Sequence, residues 1–209
     1  MNGVALQRAL RMAGGSLILG AILLLIGNLA APGGGGVGTT NRLLWALVHL
    51  ALVIGAAALL LGLPAIYIRQ AGVVGSTGLL GFCLLFVGFL GIGFFVPAVQ
   101  AVLLPWVYDK ASCTLGCHLL STSDGPPLYV WFYEIEALAT FIGLILLDWA
   151  TARAATYPAW SGYLLIAAGA LALPLALTNL PAVLSLVPLL LGLVGISWIG
   201  LSLISKEQL

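Results

Sequence analysis

The chain has 209 residues, of which 62% are hydrophobic and 6% are charged, and its mean hydropathy is +1.20. A soluble domain carries roughly 25% charged residues, so this chain cannot solvate a globular surface and is predicted to be an integral membrane protein. The formal net charge of +1 leaves no basic patch, which argues against a nucleic-acid partner. The lipid bilayer is the partner that the composition predicts.

Six apolar runs are long enough to cross a bilayer, for which about 20 residues are needed. Gly- and Pro-rich stretches such as APGGGGVGTTN, DGPP and TNLP separate several of them. The predicted spans lie near residues 14–31, 43–66, 77–104, 129–149, 160–178 and 182–204. The sequence therefore predicts an all-α fold, a multi-pass bundle of six transmembrane helices that forms one domain over residues 1–209. The third span contains Pro97, where we expect a tilt or a kink.

The short loops between these spans differ in basic residues. One side of the membrane would hold Arg8, Arg11, Arg69, Arg153 and Lys206, and the other Arg42 and Lys110. Because cytoplasmic loops carry the excess of Lys and Arg, both termini are predicted to be cytoplasmic, in the cell (plasma) membrane. A signal peptide is the alternative for the first span, but Pro32 makes NLAAPG a poor cleavage site.

Four of the spans contain two glycines that are seven residues apart. The pairs are Gly20 and Gly27, Gly55 and Gly62, Gly81 and Gly88, and Gly162 and Gly169. Seven residues make almost two helical turns, so each pair lies on one face of its helix. Small residues let membrane helices approach closely, so we expect these faces to be packing seams. The alternative is chance recurrence among the 27 glycines of the chain.

Several polar side chains fall at a similar predicted depth in the outer half of the membrane. At about 1.5 Å per residue from the predicted span ends, Glu134 and Glu136 lie roughly 8 to 10 Å deep, His49 about 9 Å and Gln100 about 8 Å. Asn28 is somewhat shallower. The inner half offers little beyond Ser197, Ser202 and Asp148, the last at a predicted helix end.

The two glutamates are not equivalent, because residues two apart on a helix differ by about 200° in direction. Glu136 lies in line with Thr140 and Gly143, whereas Glu134 lies in line with the apolar Leu138. We therefore expect Glu136 to face the inside of the bundle. Glu134 is expected to reach toward the lipid headgroups.

An ionised carboxylate at membrane depth costs several kcal/mol unless it is paired, so Glu136 should find a partner, with His49 the foremost candidate. One reading is a structural polar pair between spans two and four. A second is a ligand-binding or permeation site open to the outside, lined by Glu136, His49 and Gln100, with Asn28 and Glu134 near it. A metal site would need three or four ligands, more than are available here, and a water-filled vestibule is the remaining reading.

The stretch SCTLGCH, residues 112–118, falls in a predicted extracytoplasmic loop. An oxidising compartment favours a disulfide between Cys113 and Cys117, with free thiols as an alternative. A third reading is covalent haem on these cysteines with His118 as axial ligand, although C-x-x-C-H is the usual spacing and here three residues separate the cysteines. No other cofactor is predicted.

The overall pattern resembles small six-span bacterial membrane proteins of unknown function in hydropathy and loop placement, which implies no activity. Our first hypothesis is a membrane protein that binds, and could translocate, a small molecule, lipid or ion at the outer polar site. The alternative is a non-catalytic subunit of a larger membrane complex. An enzyme or haem carrier that uses CTLGCH ranks third, and HExxH and G-x-S-x-G motifs are missing from the sequence.

Overall fold

The computed structural model describes residues 3–31, 41–110, 126–176 and 182–205. These residues are almost entirely helical, and no strand occurs within the described ranges, so the all-α prediction is confirmed. The elements are α1 (Gly3–Ala30), α2 (Arg42–Phe89), a π-helical turn (Leu90–Phe95), α3 (Val96–Lys110), α4 (Pro127–Ala154), α5 (Ala159–Ala176) and α6 (Ala182–Ile204).

Helix α2 reverses direction in its middle. Gly75 has φ 59° and ψ −159°, a backbone conformation that glycine adopts readily and L side chains rarely do. The rings of Tyr67 and Phe82 stack at 5.2 Å, although a continuous helix would separate these residues by about 22 Å. The two segments therefore lie antiparallel, and we call residues 42–74 α2a and residues 76–89 α2b.

A π-helical turn joins α2b to α3 directly before Pro97. Proline cannot donate a backbone hydrogen bond to the residue four positions earlier, here Gly93, and its ring clashes with that carbonyl. A widened turn accommodates this clash without ending the helix. The irregularity predicted near Pro97 therefore takes the form of a π-helical turn.

All eight glycines of the seven-residue pairs face a neighbouring helix. A Cβ atom added to Gly20 would lie 2.7 Å from the carbonyl oxygen of Gly55, which brings α1 and α2a into backbone contact. A Cβ atom added to Gly162 would lie 3.1 Å from the carbonyl oxygen of Asp148, which does the same for α4 and α5. The predicted glycine seams are confirmed.

Each helical segment packs antiparallel to the next, and the last returns to the first. A Cβ atom added to Gly200 of α6 would lie 2.8 Å from the carbonyl oxygen of Gly14 in α1. The bundle thus has two ends. The Gly75 end holds Gly75 and the loop 155–158, and the Asn41 end holds Asn41 and the starts of α4 and α6.

The apolar core occupies the middle of the bundle and the half nearer the Gly75 end. Its most buried large side chains are Leu17, Leu59, Leu63, Ile66, Leu147, Leu165, Ile199 and Leu203. Large apolar side chains also cover the outside, as with Leu61, which is 76% exposed. An apolar exterior is what lipid requires.

Among the described residues, four helices are long and apolar enough to cross a membrane by length and composition. They are Val4–Ala30, Arg42–Leu103, Pro127–Ala154 and Leu186–Ile204. The second of these stretches contains the reversal at Gly75, and the apolar part of α5, Ala159–Ala172, is shorter than the four. Helices of this kind are those of a membrane protein.

Candidate functional site

The side chain of Glu136 on α4 packs against the π-helical turn. A Cβ atom added to Gly91 would lie 2.5 Å from Cδ and 2.6 Å from Oε2 of Glu136, so the glycine makes room for the carboxylate. One turn further along, a Cβ atom added to Gly88 would lie 2.6 Å from Oγ1 of Thr140. Glu136 and Thr140 therefore face the same neighbour, the direction that the polar stripe predicts.

The carboxylate of Glu136 has an unsatisfied oxygen. Oε2 is buried and has no hydrogen-bond partner among the described residues. The hydroxyl of Thr140 donates to the backbone carbonyl of Glu136 at 2.8 Å, so it does not serve the carboxylate. Within the same ranges no hydrogen bond or ion pair joins Glu136 to His49. Glu136 is only partly buried as a residue, but a buried carboxylate oxygen without a donor is unfavourable, so this position favours a donor or cation from outside these contacts.

Three polar residues nearer the Asn41 end form a separate group, which we call the Trp45 cluster: Trp45, His49 and Gln100. His49 is buried, its Nδ1 lies 2.8 Å from the carbonyl oxygen of Trp45, and the two rings stack at 4.2 Å. Trp45 Nε1 donates to the carbonyl oxygen of Gln100 at 3.0 Å, and the Gln100 side chain lies near the His49 ring. The cluster thus links α2a to α3.

The helix register separates the Trp45 cluster from Glu136. Glu136 faces Gly91, whereas Trp45 faces Gln100, which lies about 13 Å further along the helix. His49 is one turn from Trp45 in the direction of Gly91, so it still lies about 7 Å from the level of Glu136. Our depth estimate assumed that spans three and four end at the same level. The glycine contacts instead place Pro105 beyond the level of the first residue of α4. The expected pairing of Glu136 with His49 is therefore not made in this structure.

The other predicted site residues stand apart. Asn28 is exposed, and its Nδ2 donates to the carbonyl of Leu24 on its own helix at 2.8 Å. Glu134 is exposed as well, in keeping with its expected direction toward the headgroups. Cys113, Cys117 and His118 lie outside the described residues, so the disulfide and haem readings stay predictions. The ligand-binding roles of Asn28, Glu134, His49 and Gln100 stay predictions too.

Aromatic rings lie one turn from Glu136 toward the Asn41 end. Phe132 of α4 and Phe95 of the π-helical turn meet edge to face, with their centroids 5.9 Å apart. Both are partly exposed, and Trp131 beside them is 63% exposed. The unsatisfied carboxylate oxygen thus borders an apolar aromatic surface that is open to the surroundings of the bundle.

Sequence reasoning missed a buried polar group near the Gly75 end. Gln70 and Thr151 are 0% and 1% exposed, and Gln70 Nε2 donates to Thr151 Oγ1 at 2.7 Å. Asp148, expected at a helix end, is 2% exposed, because α4 continues to Ala154 and packs there against α5. The polar side chains of this half are therefore enclosed more fully than those of the other half.

A cation closes the Gly75 end over this group. Arg69 Nη1 donates to the carbonyl oxygen of Ser202 at 3.1 Å, and its guanidinium carbon lies 5.6 Å from the centre of the Tyr157 ring. The Tyr157 hydroxyl donates to the carbonyl oxygen of Ile66 at 3.5 Å. Burial raises the pKa of Tyr157 far above its usual value, although Arg69 opposes the shift, so this tyrosine stays a neutral donor.

An apolar groove and a metal centre are two other kinds of site to consider among the described residues. A shallow groove between α5 and α6 has wholly apolar walls, formed by Leu164, Val187, Leu190, Leu191 and Val194. Within the described ranges, no three His, Cys, Asp or Glu side chains come together as metal ligands would. Neither feature supplies polar groups that could orient a ligand, so Glu136 remains the better candidate.

A scan against protein-family models gives no match, and comparisons with curated proteins and with solved structures give none either. No relative therefore lends a substrate, cofactor or partner to this chain. Its function has to be inferred from its own residues and contacts. Of these, the buried carboxylate oxygen of Glu136, which has no donor among the described residues, is the most direct indication of a ligand.

Proposed function

We propose that the chain is a plasma-membrane protein that crosses the bilayer six times, with both termini in the cytoplasm. The alternation of α1, α2a, α2b with α3, α4, α5 and α6 between the two ends of the bundle supports six crossings. Even α5, the shortest with 18 residues, spans about 27 Å, close to the roughly 30 Å of the hydrocarbon layer.

The distribution of basic residues supports the orientation. Four of them belong to the Gly75 end, namely Arg8, Arg11, Arg69 and Arg153, whereas Arg42 and Lys110, the last residue of α3, belong to the Asn41 end. Basic residues are retained on the cytoplasmic side during insertion, which makes the Gly75 end cytoplasmic. Glu136 then lies in the outer half of the membrane.

The proposed function is the binding of an amphiphilic small molecule or lipid at Glu136. The observation that carries it is the buried Oε2 atom, which has no donor among the described residues. The carboxylate packs against Gly91, and the Phe95–Phe132 pair lies one helical turn away, whereas a bare ion would need several oxygen ligands. A molecule with an ammonium or hydroxyl group and an apolar body fits both features. Translocation would use the same site.

Mass spectrometry of the native protein from mild detergent, with the variants Glu136→Gln and Glu134→Gln, tests this function. Glu134 is the matched control, because it is exposed and lies two residues away on another face. A hydrogen bond to a charged group contributes about 1.5–3 kcal/mol, so Glu136→Gln should lower ligand occupancy about 10- to 100-fold. Glu134→Gln should keep the wild-type occupancy. Equal occupancy in all three proteins would contradict the proposal.

A lipid titration separates headgroup recognition from general lipid binding. Phosphatidylethanolamine carries an ammonium group and phosphatidylglycerol does not, while their acyl chains can be matched. Phosphatidylethanolamine should raise the melting temperature of delipidated wild-type protein more than that of Glu136→Gln. Phosphatidylglycerol offers hydroxyl donors instead, so equal shifts with both lipids would indicate that the carboxylate does not distinguish an ammonium from a hydroxyl group.

One observation favours the alternative, a non-catalytic subunit of a larger complex. Only 11% of the most apolar window of α4 is buried within the chain, against 28 to 39% for the other three long helices. Exposed large side chains of this helix include Leu128, Trp131 and Ile135. The particle size in mild detergent separates the two functions, since stable partner chains would favour a subunit and a lone chain with bound lipid would favour the first proposal.

A further inference from the structure

A second acid lies inside the bundle, in the half opposite to Glu136. Asp148 of α4 is 2% exposed, and Thr151, one turn further on, is 1% exposed. Gln70 of α2a is 0% exposed and reaches this turn, donating from Nε2 to the Thr151 hydroxyl at 2.7 Å. Residues three apart on a helix share a face, so the Gln70 amide and the Asp148 carboxyl approach the same part of α4.

Two oxygen atoms of this group have no donor. Asp148 Oδ2 and Gln70 Oε1 are both buried without a hydrogen-bond partner among the described residues. The Thr151 hydroxyl cannot serve either of them, because it donates its hydrogen to the carbonyl oxygen of Leu147 at 2.8 Å. Both acceptors are buried at the same part of α4 and lack a hydrogen, and a single proton on the carboxyl would supply one.

The neighbouring elements bring few charges to Asp148. From α2a comes Arg69, which binds the carbonyl of Ser202 and stacks on Tyr157. Tyr157, in the loop after α4, donates to a backbone carbonyl, and α5 contributes Ser161, whose hydroxyl donates to the carbonyl of Pro158. Arg153 of α4 lies 4.5 Å over the Trp149 ring. Within the described ranges no basic group forms an ion pair with Asp148, so a proton is the cation best suited to neutralise it.

We propose that Asp148 is a proton-binding site, neutral at neutral pH, whose carboxyl O–H is directed to the Gln70 amide oxygen. The proton adds to Oδ2, turning this acceptor into a donor, and the amide oxygen of Gln70 accepts the new hydrogen bond. The group is about 18 Å along α4 from Glu136, so it is separate from the proposed amphiphile site. In the proposed orientation it lies in the cytoplasmic half of the membrane.

Infrared spectroscopy of the protein in lipid nanodiscs tests this site, because a protonated carboxyl has its own C=O stretching band. The wild type at neutral pH should show such a band, which should shift on ¹³C labelling of the aspartate carboxyl groups. The band should vanish in Asp148→Asn and persist in Asp124→Asn and in Glu136→Gln. A wild-type spectrum without an aspartic-acid band, or a band that survives Asp148→Asn, would overturn the proposal.

A second variant and a change of salt test the proposal independently of Asp148→Asn. Gln70→Leu removes the acceptor, so the Asp148 band should move while the protein stays folded, and an unmoved band would refute the role of Gln70 even if Asp148→Asn does not fold. Sodium chloride and choline chloride should leave the band equally strong. Loss of the band in sodium chloride but not in choline chloride would show that a sodium ion displaces the proton, and it would overturn the assignment. Asp148→Asn should also melt close to the wild type, since the amide replaces a neutral acid of the same shape.

Discussion

The two acids of α4 lie in unlike surroundings, although one helix carries both. Near the Gly75 end α4 is enclosed by α2b at Gly81 and by α5 at Gly162, and Asp148 is 2% exposed. Toward the Asn41 end the register of the α4–α5 contacts brings Ala176, the last residue of α5, level with Glu136. Beyond that level the π-helical turn packs against α4, and the aromatic side chains of α4 are exposed.

The packing of neighbouring backbone, more than the hydropathy of the sequence, determines whether an acidic side chain in the membrane is enclosed or accessible to a ligand. Asp148 is enclosed beyond the reach of a large molecule, which leaves a proton as its partner. Glu136 has one buried oxygen beside Gly91 and lies one turn from an exposed aromatic pair, where we propose that an amphiphile binds. The same residue class therefore supports two different kinds of site.

The largest effect is expected at the glycine seam that encloses α4. A Cβ atom added to Gly143 would overlap the backbone nitrogen of Leu85, whereas one added to Gly15 would meet nothing within 4 Å. Gly143→Ala should lower the free energy of unfolding by about 1–3 kcal/mol, because packed helix backbones must separate. Gly15→Ala should leave it unchanged or raise it by up to about 1 kcal/mol. Thermal unfolding in one detergent measures both, and equal effects would contradict the register.

The next pair of changes compares the two halves of the bundle through one threonine hydrogen bond in each. Thr151→Val leaves the buried Nε2 of Gln70 without its acceptor, at a cost of about 1–3 kcal/mol. Thr140→Val, the matched change in the other half, removes a bond within α4 and should cost about 1 kcal/mol or less. Adding Gln70→Leu to Thr151→Val should recover part of the loss. The same unfolding measurement decides, and a costlier Thr140→Val would reverse the comparison.

The sequence predicted the helices and their seams because both depend on local patterns. Apolar length marks the spans, and glycines seven residues apart mark the contact faces, as Gly20 against Gly55 shows. The reversal between spans two and three was also predicted, near the position of Gly75. Pro97 predicted an irregularity at this place, but it did not predict that the irregularity would be a π-helical turn.

The sequence could not predict which polar residues meet, because that depends on the register between helices. The predicted second span ends at residue 66, which places Gln70 outside the predicted membrane segment. A signal was present, since Gln70 lies in line with the buried Leu63, Ile66 and Val74. A glutamine that continues an apolar stripe is more plausibly buried than solvated.

The central claim is that Glu136 is an acid at membrane depth whose buried Oε2 atom has no hydrogen-bond partner among the described residues. A hydrophobic carbodiimide, which reacts with protonated carboxyls from within the bilayer, measures this directly when the labelled peptides are identified by mass spectrometry. We predict that delipidated protein is labelled at Glu136 and not at Glu134, and that added phosphatidylethanolamine protects Glu136. An unlabelled Glu136 in delipidated protein, or equal labelling of both glutamates, would contradict the claim.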